Sequence, residues 1–285
     1  MPAHHSETEP SFGYLYYPNN NRIVAMDKIS HYGLFSTFTL LLSTITCVHA
    51  DFGVLPDKID LRPALKKFKT NPHQDLYSTL FQQDRNIKIN SVKKVGPDPH
   101  HTLYTADLIE GLNPYIRRYF NLSEEVKQIE SNLTSKYSIT SSDLLYVIYR
   151  GTDQFTDRGG FASVNCSVYE RLARKIITPI REEERCVLIQ SDEPRAIDYF
   201  KGLKGVYIDE TSLGRIAPTG PPIPTTDVDM WLKYYISAIH IHGMSKHVIT
   251  YTGNSGFWVA LFKGNIDNLY QETTFSLAQK LFFSK

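Results

Sequence analysis

The sequence predicts an α/β fold, with two doubly wound halves whose mostly parallel sheets face a cleft. Three observations lead there. Short apolar runs recur at 22–27 (RIVAMD), 143–150 (DLLYVIYR), 185–191 (RCVLIQS), 205–210 (GVYIDE) and 246–251 (KHVITY), each of strand length and bounded by polar or breaker residues. Longer apolar or amphipathic stretches separate them, so strand and helix alternate in both halves. The 285-residue chain suits one large domain or two modest ones, and it buries a sizeable core without disulfides or metals.

The elements follow in order. The polar start, 1–12, is expected to fray. The strand at 22–27 runs through a glycine-containing loop into the apolar helix FSTFTLLLSTITCVHA, 35–50, and FGVLPDKIDL, 52–61, reads as the next strand and its exit. This is the β-loop-α-β opening of a doubly wound sheet. Residues 62–112 hold breakers and the adjacent pair His100 and His101, which suits short helices, loops and surface histidines. The stretch 112–139 is helical, with a second helix starting at NLSEEV, capped by Ser123 and striped by Val126, Ile129 and Leu133. Beyond a boundary near residue 140, helices are expected at 165–177, 194–203, 227–243 and 257–264, between the remaining strands and a Gly/Pro-rich loop at 214–226. The chain then divides into 1–140 and 141–285, each a Rossmann-like domain.

Composition narrows the function. The net charge of +1 argues against a general nucleic-acid partner. Cys47, Cys166 and Cys186 are few, scattered and without a CxxC, which excludes a disulfide framework or zinc ribbon and favours a reducing, cytoplasmic setting. Without a secretion signal the N-x-S/T sequons at Asn121, Asn132 and Asn165 carry no weight. The apolar run Leu34 to Val48 is short for a membrane span and begins late for a signal peptide, so a buried helix is expected.

Ligands of open α/β sheets bind beyond the carboxyl ends of the strands. The first half offers Asp27 there, with His31 in the following loop. The second offers Arg150, Gly151, Thr152 and Asp153, then Ser191, Asp192 and Glu193, then Asp209 and Glu210, and finally Thr252, Gly253, Asn254, Ser255 and Gly256. In TGNSG, 252–256, two glycines let backbone approach a ligand, and the helix that follows aims free N–H groups at it. Arg150 adds a permanent charge and a planar donor fork. Together they suit a pyrophosphate.

This pattern resembles the GT-B fucosyltransferase superfamily, the group of α1,6-fucosyltransferases, the rhizobial nodulation fucosyltransferase and protein O-fucosyltransferases. IYRGTD matches the H-x-R-R-x-D motif of the donor domain at Arg150 and Asp153. LIQSDEP matches the acidic second motif at Asp192, and TYTGNSGFWVALF the serine turn before a helix at Ser255. YGLFSTFTLLLSTI resembles the family's Gly-Phe loop and long apolar helix. Ile148 and Gly151 stand where the family has histidine and a second arginine, which leaves the donor open between GDP-fucose and a UDP-pentose such as UDP-xylose. The resemblance implies a GT-B-like fold and an inverting, metal-independent transfer of a sugar from a nucleotide-sugar donor to a glycan acceptor hydroxyl. Arg150 would stabilise the leaving pyrophosphate. Asp27, His31 and Asp153 are the candidate bases. No metal or cofactor is expected. The DVD at 227–229 reads as a helix cap, with a place for Asp229 beside the donor as the other option. No P-loop, GxGxxG or G-x-S-x-G motif is present. The competing class is a non-catalytic nucleotide- or sugar-binding module, which has no need of Arg150.

Overall fold

A computed structural model describes residues 14–17, 23–26, 33–62, 64–65, 68–69, 71, 73–96, 99–136, 145–149, 187–191, 206–208 and 228–272. It is a mixed helix-and-strand structure with parallel sheets, of the α/β class.

Strand β1 (Tyr14–Tyr17) pairs antiparallel with β2 (Ile23–Met26), which pairs parallel with β3 (Lys58–Asp60). Between β2 and β3 runs helix α1 (Leu34–Phe52). It starts at Gly33 and ends at Gly53, whose φ of 65° lies in the left-handed region that favours glycine. Its apolar side chains surround the axis, so it must be covered on every side. Phe38, Leu41 and Ile45 are fully buried. By length and composition α1 could cross a bilayer, but 72% of its apolar window is buried inside the protein. The apolar helix expected from the sequence is therefore a core helix here.

Helix α2 (Leu76–Leu80) begins at Asp75, whose carboxylate accepts from the Tyr77 amide at 3.2 Å. It runs into β4 (Phe81–Gln82), which pairs with β5 (Asn121–Leu122). Helix α3 (Ala106–Tyr119) starts at Thr105, whose hydroxyl accepts from the Leu108 amide. Helix α4 (Glu124–Lys136) follows β5. The Ser123 hydroxyl accepts from the Val126 amide at 3.4 Å, as the cap reading expects, and Val126, Ile129 and Leu133 are buried. The helical reading of 112–139 is interrupted by β5, because the ladder to β4 captures the chain at residues 121–122.

The second half supplies β6 (Leu145–Tyr149), β7 (Val187–Ser191), β8 (Val206–Ile208), α5 (Val228–Met244), β9 (His247–Tyr251), α6 (Asn254–Lys263) and β10 (Leu269–Glu272). Its five strands form one parallel sheet in the order β10-β9-β6-β7-β8. The helices expected at 165–177 and 194–203 lie outside the described residues.

Helix α6 ties the halves together. Every residue from Ser255 to Leu261 is buried, and a helix without a polar face needs neighbours all round. It packs on α5, α1 and α3. Trp258 meets Phe38 at 5.8 Å and Phe120 at 4.8 Å between ring centroids, in edge-on geometry, and its indole N–H donates to Thr39 Oγ1 at 3.0 Å. Helices α4 and α5 pair through Lys233 Nζ with Glu125 at 2.6 Å, His240 Nδ1 with Glu130 at 3.0 Å, and the Ser237 hydroxyl donating to the Val126 carbonyl. One continuous apolar core results, containing residues from both halves.

Candidate functional site

The five-stranded order reverses direction once. From β6 the chain steps through β7 to β8 on one side, then returns to the other side for β9 and β10. Where neighbouring parallel strands send their connections opposite ways, a crevice opens beyond their carboxyl ends. Here that point lies between β6 and β9. The register sets the neighbouring strand ends level. Tyr149 stands opposite Ser191, and Val147 opposite Ile249, so β6, β7 and β9 end level at Tyr149, Ser191 and Tyr251. With strands about 5 Å apart, the three tips span about 10 Å.

The β9–α6 turn follows the carboxyl end of β9. Its sequence, Thr252 and Gly253 into Asn254, Ser255 and Gly256, is the one singled out above, and it follows a strand at the reversal point. Gly253 is the residue before the first turn of α6, and no side chain caps that end. The carbonyl of Gly253 accepts from the Phe257 amide at 2.8 Å. The amides of Asn254, Ser255 and Gly256 point out of the helix end with no acceptor inside the helix. No acidic residue occupies the first turn, so the positive end of the helix dipole is not offset locally.

A second helix start lies beside it. Asn254 Nδ2 donates to Ser36 Oγ at 2.9 Å, and Trp258 Nε1 to Thr39 Oγ1 four residues on, so α1 and α6 run side by side in the same direction. The first turn of α1 also lacks a side-chain cap and an acidic residue. Two positive helix ends therefore converge, an arrangement that a bound anion relieves. Asn254 Oδ1 is buried there without a hydrogen-bond partner among the described residues.

The turn is held from outside. The Tyr104 hydroxyl donates to the Gly253 carbonyl at 3.1 Å and accepts from the Gly253 amide at 3.3 Å. Gln271 of β10 accepts from the Tyr104 amide at 2.7 Å and donates to the Thr102 carbonyl at 3.0 Å and to Thr252 Oγ1 at 3.3 Å. Ser255 Oγ shares a hydrogen bond with Tyr235 on α5 at 3.2 Å, and Tyr235 stacks on Trp231 with 5.4 Å between ring centroids. None of Tyr104, Gln271 and Ser36 was singled out by sequence, since each is a lone residue with no local pattern.

Of the sequence-predicted site residues, Thr252, Gly253, Asn254, Ser255 and Gly256 are brought together in this turn, and the backbone of Ser191 ends β7. Asp27, His31, Arg150, Gly151, Thr152, Asp153, Asp192, Glu193, Asp209 and Glu210 lie outside the described residues. Asp229 sits in the first turn of α5 and accepts from Gln74 Nε2 at 3.0 Å; Asp227 lies outside the described residues. The surface reading of the histidine pair is half corrected. His101 is exposed, but His100 is 7% exposed, because the 3-10 turn at Pro99–His101 packs on α6. Burial and the adjacent His101 push the His100 imidazole down to about 4. Cys47 on α1 is half-buried, and burial raises its thiol pKa. Among the described residues, no group of three His, Cys, Asp or Glu side chains is arranged to hold a metal.

The sequence matches no protein-family model and no curated protein. Among solved structures, the chain is similar to the fucosyltransferase NodZ from Bradyrhizobium, at 12% identity and a TM-score of 0.44, covering 78% of this chain and 88% of that one. It is likewise similar to NodZ α-1,6-fucosyltransferase co-crystallized with GDP, at 12% identity and a TM-score of 0.45, covering 79% and 89% of the two chains.

Proposed function

We propose that the chain is a glycosyltransferase that takes a nucleotide-sugar donor at the crevice between β6 and β9 and passes the sugar to a glycan hydroxyl. The observation that carries this reading is the strand order β10-β9-β6-β7-β8 with its reversal beside the β9–α6 turn. A crevice of that kind, walled by an uncapped helix start, favours a phosphorylated ligand. Arg150, Asp192 and Thr252 are each bonded directly to one of the three level strand ends, Tyr149, Ser191 and Tyr251. In the sequence, a guanidinium, an acidic residue and a glycine turn thus follow directly on neighbouring strand ends.

In this proposal the turn amides of residues 254–256 and Arg150 stabilise the charge that develops on the departing diphosphate. Asp192 and Glu193, beyond β7, bind the rest of the donor, with Gly151 and Thr152 beside Arg150. The acceptor hydroxyl loses its proton to Asp27, His31 or Asp153, the candidates from the sequence. Displacement of the diphosphate by that oxygen inverts the anomeric carbon, and fixed charge takes the part a metal plays elsewhere. The two-domain GT-B arrangement with a boundary near residue 140, and a cytoplasmic location, belong to the same proposal.

A thermal-shift panel tests it. GDP, UDP and their sugar conjugates are added to the full chain, with and without EDTA. One nucleotide series is expected to raise the melting temperature, equally in both conditions. If none does, the donor-site reading fails; if EDTA abolishes the shift, the metal-independent reading fails.

A further inference from the structure

Tyr104 reaches across from the segment between the 3-10 turn and α3 to grip a single residue of the β9–α6 turn. Its hydroxyl bonds both the carbonyl and the amide of Gly253, at 3.1 and 3.3 Å, and its ring packs against Phe257 at 5.4 Å. The residue is 5% exposed. Nothing in the local chemistry of the turn demands this. The Gly253 carbonyl already accepts from Phe257, and a glycine preceding a helix has two soft dihedrals that a substrate's arrival could turn. Gln271 doubles the tie by holding the backbone of Thr102 and Tyr104 on one side and Thr252 on the other.

We propose that Tyr104 and Gln271 are positioning residues that hold the β9–α6 turn in its anion-binding shape before the ligand arrives. The inference rests on the proposed donor site. The turn has glycines at 253 and 256, which let its backbone approach a phosphate but leave it conformationally loose. A loose loop pays an ordering cost at each binding event, and fixing it beforehand removes that cost. The two residues touch the Gly253 backbone and Thr252, not the outward amides of Asn254, Ser255 and Gly256, so they shape the cradle without filling it. Their effect should therefore fall on the phosphate portion of the ligand.

The full chain and its Tyr104→Phe and Gln271→Ala variants are titrated with GDP and UDP, and with guanosine and uridine as phosphate-free counterparts. Amide hydrogen exchange is followed over residues 252–257 in the unliganded proteins. The Phe substitution keeps the ring against Phe257, and Gln271 lies on an edge strand, so at least one variant retains the fold. Loss of a hydrogen bond that fixes the turn is expected to weaken diphosphate affinity about tenfold in each variant and to leave nucleoside affinity unchanged. Exchange over 252–257 is expected to speed up, with the remainder of α6 still protected. Unchanged diphosphate affinity, or an equal loss for nucleoside and diphosphate, overturns the proposal. If the wild type binds neither diphosphate, the donor-site reading is what fails. The exchange measurement then decides the clamp alone, faster exchange supporting it and unchanged exchange overturning it.

Discussion

Replacing Gly243 with alanine measures how tightly α5 and α6 are pressed together. Gly243 lies near the end of α5 and is buried. A Cβ built there would stand 2.6 Å from Phe262 Cβ, 2.9 Å from the Lys263 nitrogen and 3.0 Å from the Phe262 carbonyl carbon. Two of those atoms are α6 backbone, so no side-chain rotation relieves the overlap, and the helices must separate by about 1 Å to restore ordinary contact. Alanine in place of glycine inside a helix gains about 1 kcal/mol. Overpacking a close backbone contact costs about 1–3 kcal/mol, and the rigid neighbours here place it at the upper end. The expected net loss is about 2 kcal/mol. Gly111 in α3 provides the control, because its added Cβ would meet only the Lys93 side chain, at 3.2 Å from Cδ and 3.3 Å from Cγ. That flexible chain can move aside, so Gly111→Ala is expected to be neutral or to gain up to about 1 kcal/mol. Urea unfolding followed by tryptophan fluorescence compares the two variants with the wild type, with the slope checked for constancy. A Gly243→Ala protein as stable as the wild type, or a Gly111→Ala protein destabilised as much, would refute the packing argument.

Three further substitutions probe other parts of the structure. Thr39→Val leaves the buried Trp258 N–H without its acceptor and should cost about 1–3 kcal/mol in the same unfolding assay, whereas Thr39→Ser, which keeps the hydroxyl, should lose much less; equal stability of these two variants would sink the hydrogen-bond account. His100 has an ordinary value of 6.5 when unfolded and about 4 when folded. As pH falls through that window the unfolded chain takes up the proton first, so stability present above pH 6.5 is progressively lost toward pH 4, by up to about 3 kcal/mol. His100→Gln should flatten that part of the stability–pH curve, and an unaltered curve would count against burial of a neutral imidazole. Arg150→Ala should lower turnover, read as nucleoside diphosphate release, about 10²–10³-fold with the melting temperature unchanged; retained turnover removes Arg150 from the site.

Local pattern made the long apolar elements legible. Helices α1, α5 and α6 and strands β2, β6, β7, β8 and β9 coincide with apolar runs whose length and flanks decide their type. Strand β10 was not legible, because Leu269, Tyr270, Gln271 and Glu272 carry as much polar as apolar character and become a strand only by pairing with β9. The same holds for β1, an aromatic-rich run after a polar start, and for the two-residue pair β4 and β5. Burial of His100 depends on α6, distant in sequence, and adjacency to His101 gave no hint of it. At the site, the glycines of 252–256 announced the turn through backbone chemistry. The strand order that puts this turn at the reversal is a long-range property with no local signature, and Tyr104 and Gln271 act across 149 and 19 residues of chain.

The seam between α1 and α6 limits how the crevice can work. Swinging residues before 140 away from those after it would break the Asn254–Ser36 and Trp258–Thr39 hydrogen bonds together and expose the rings of Phe38, Phe120 and Trp258 to water. Each large side chain laid open costs about 1.5–3 kcal/mol, so a hinge through this seam would approach the cost of unfolding a small domain. The two converging helix ends thus behave as a fixed anvil, so a donor bound as proposed would have to come and go without the halves parting along this seam.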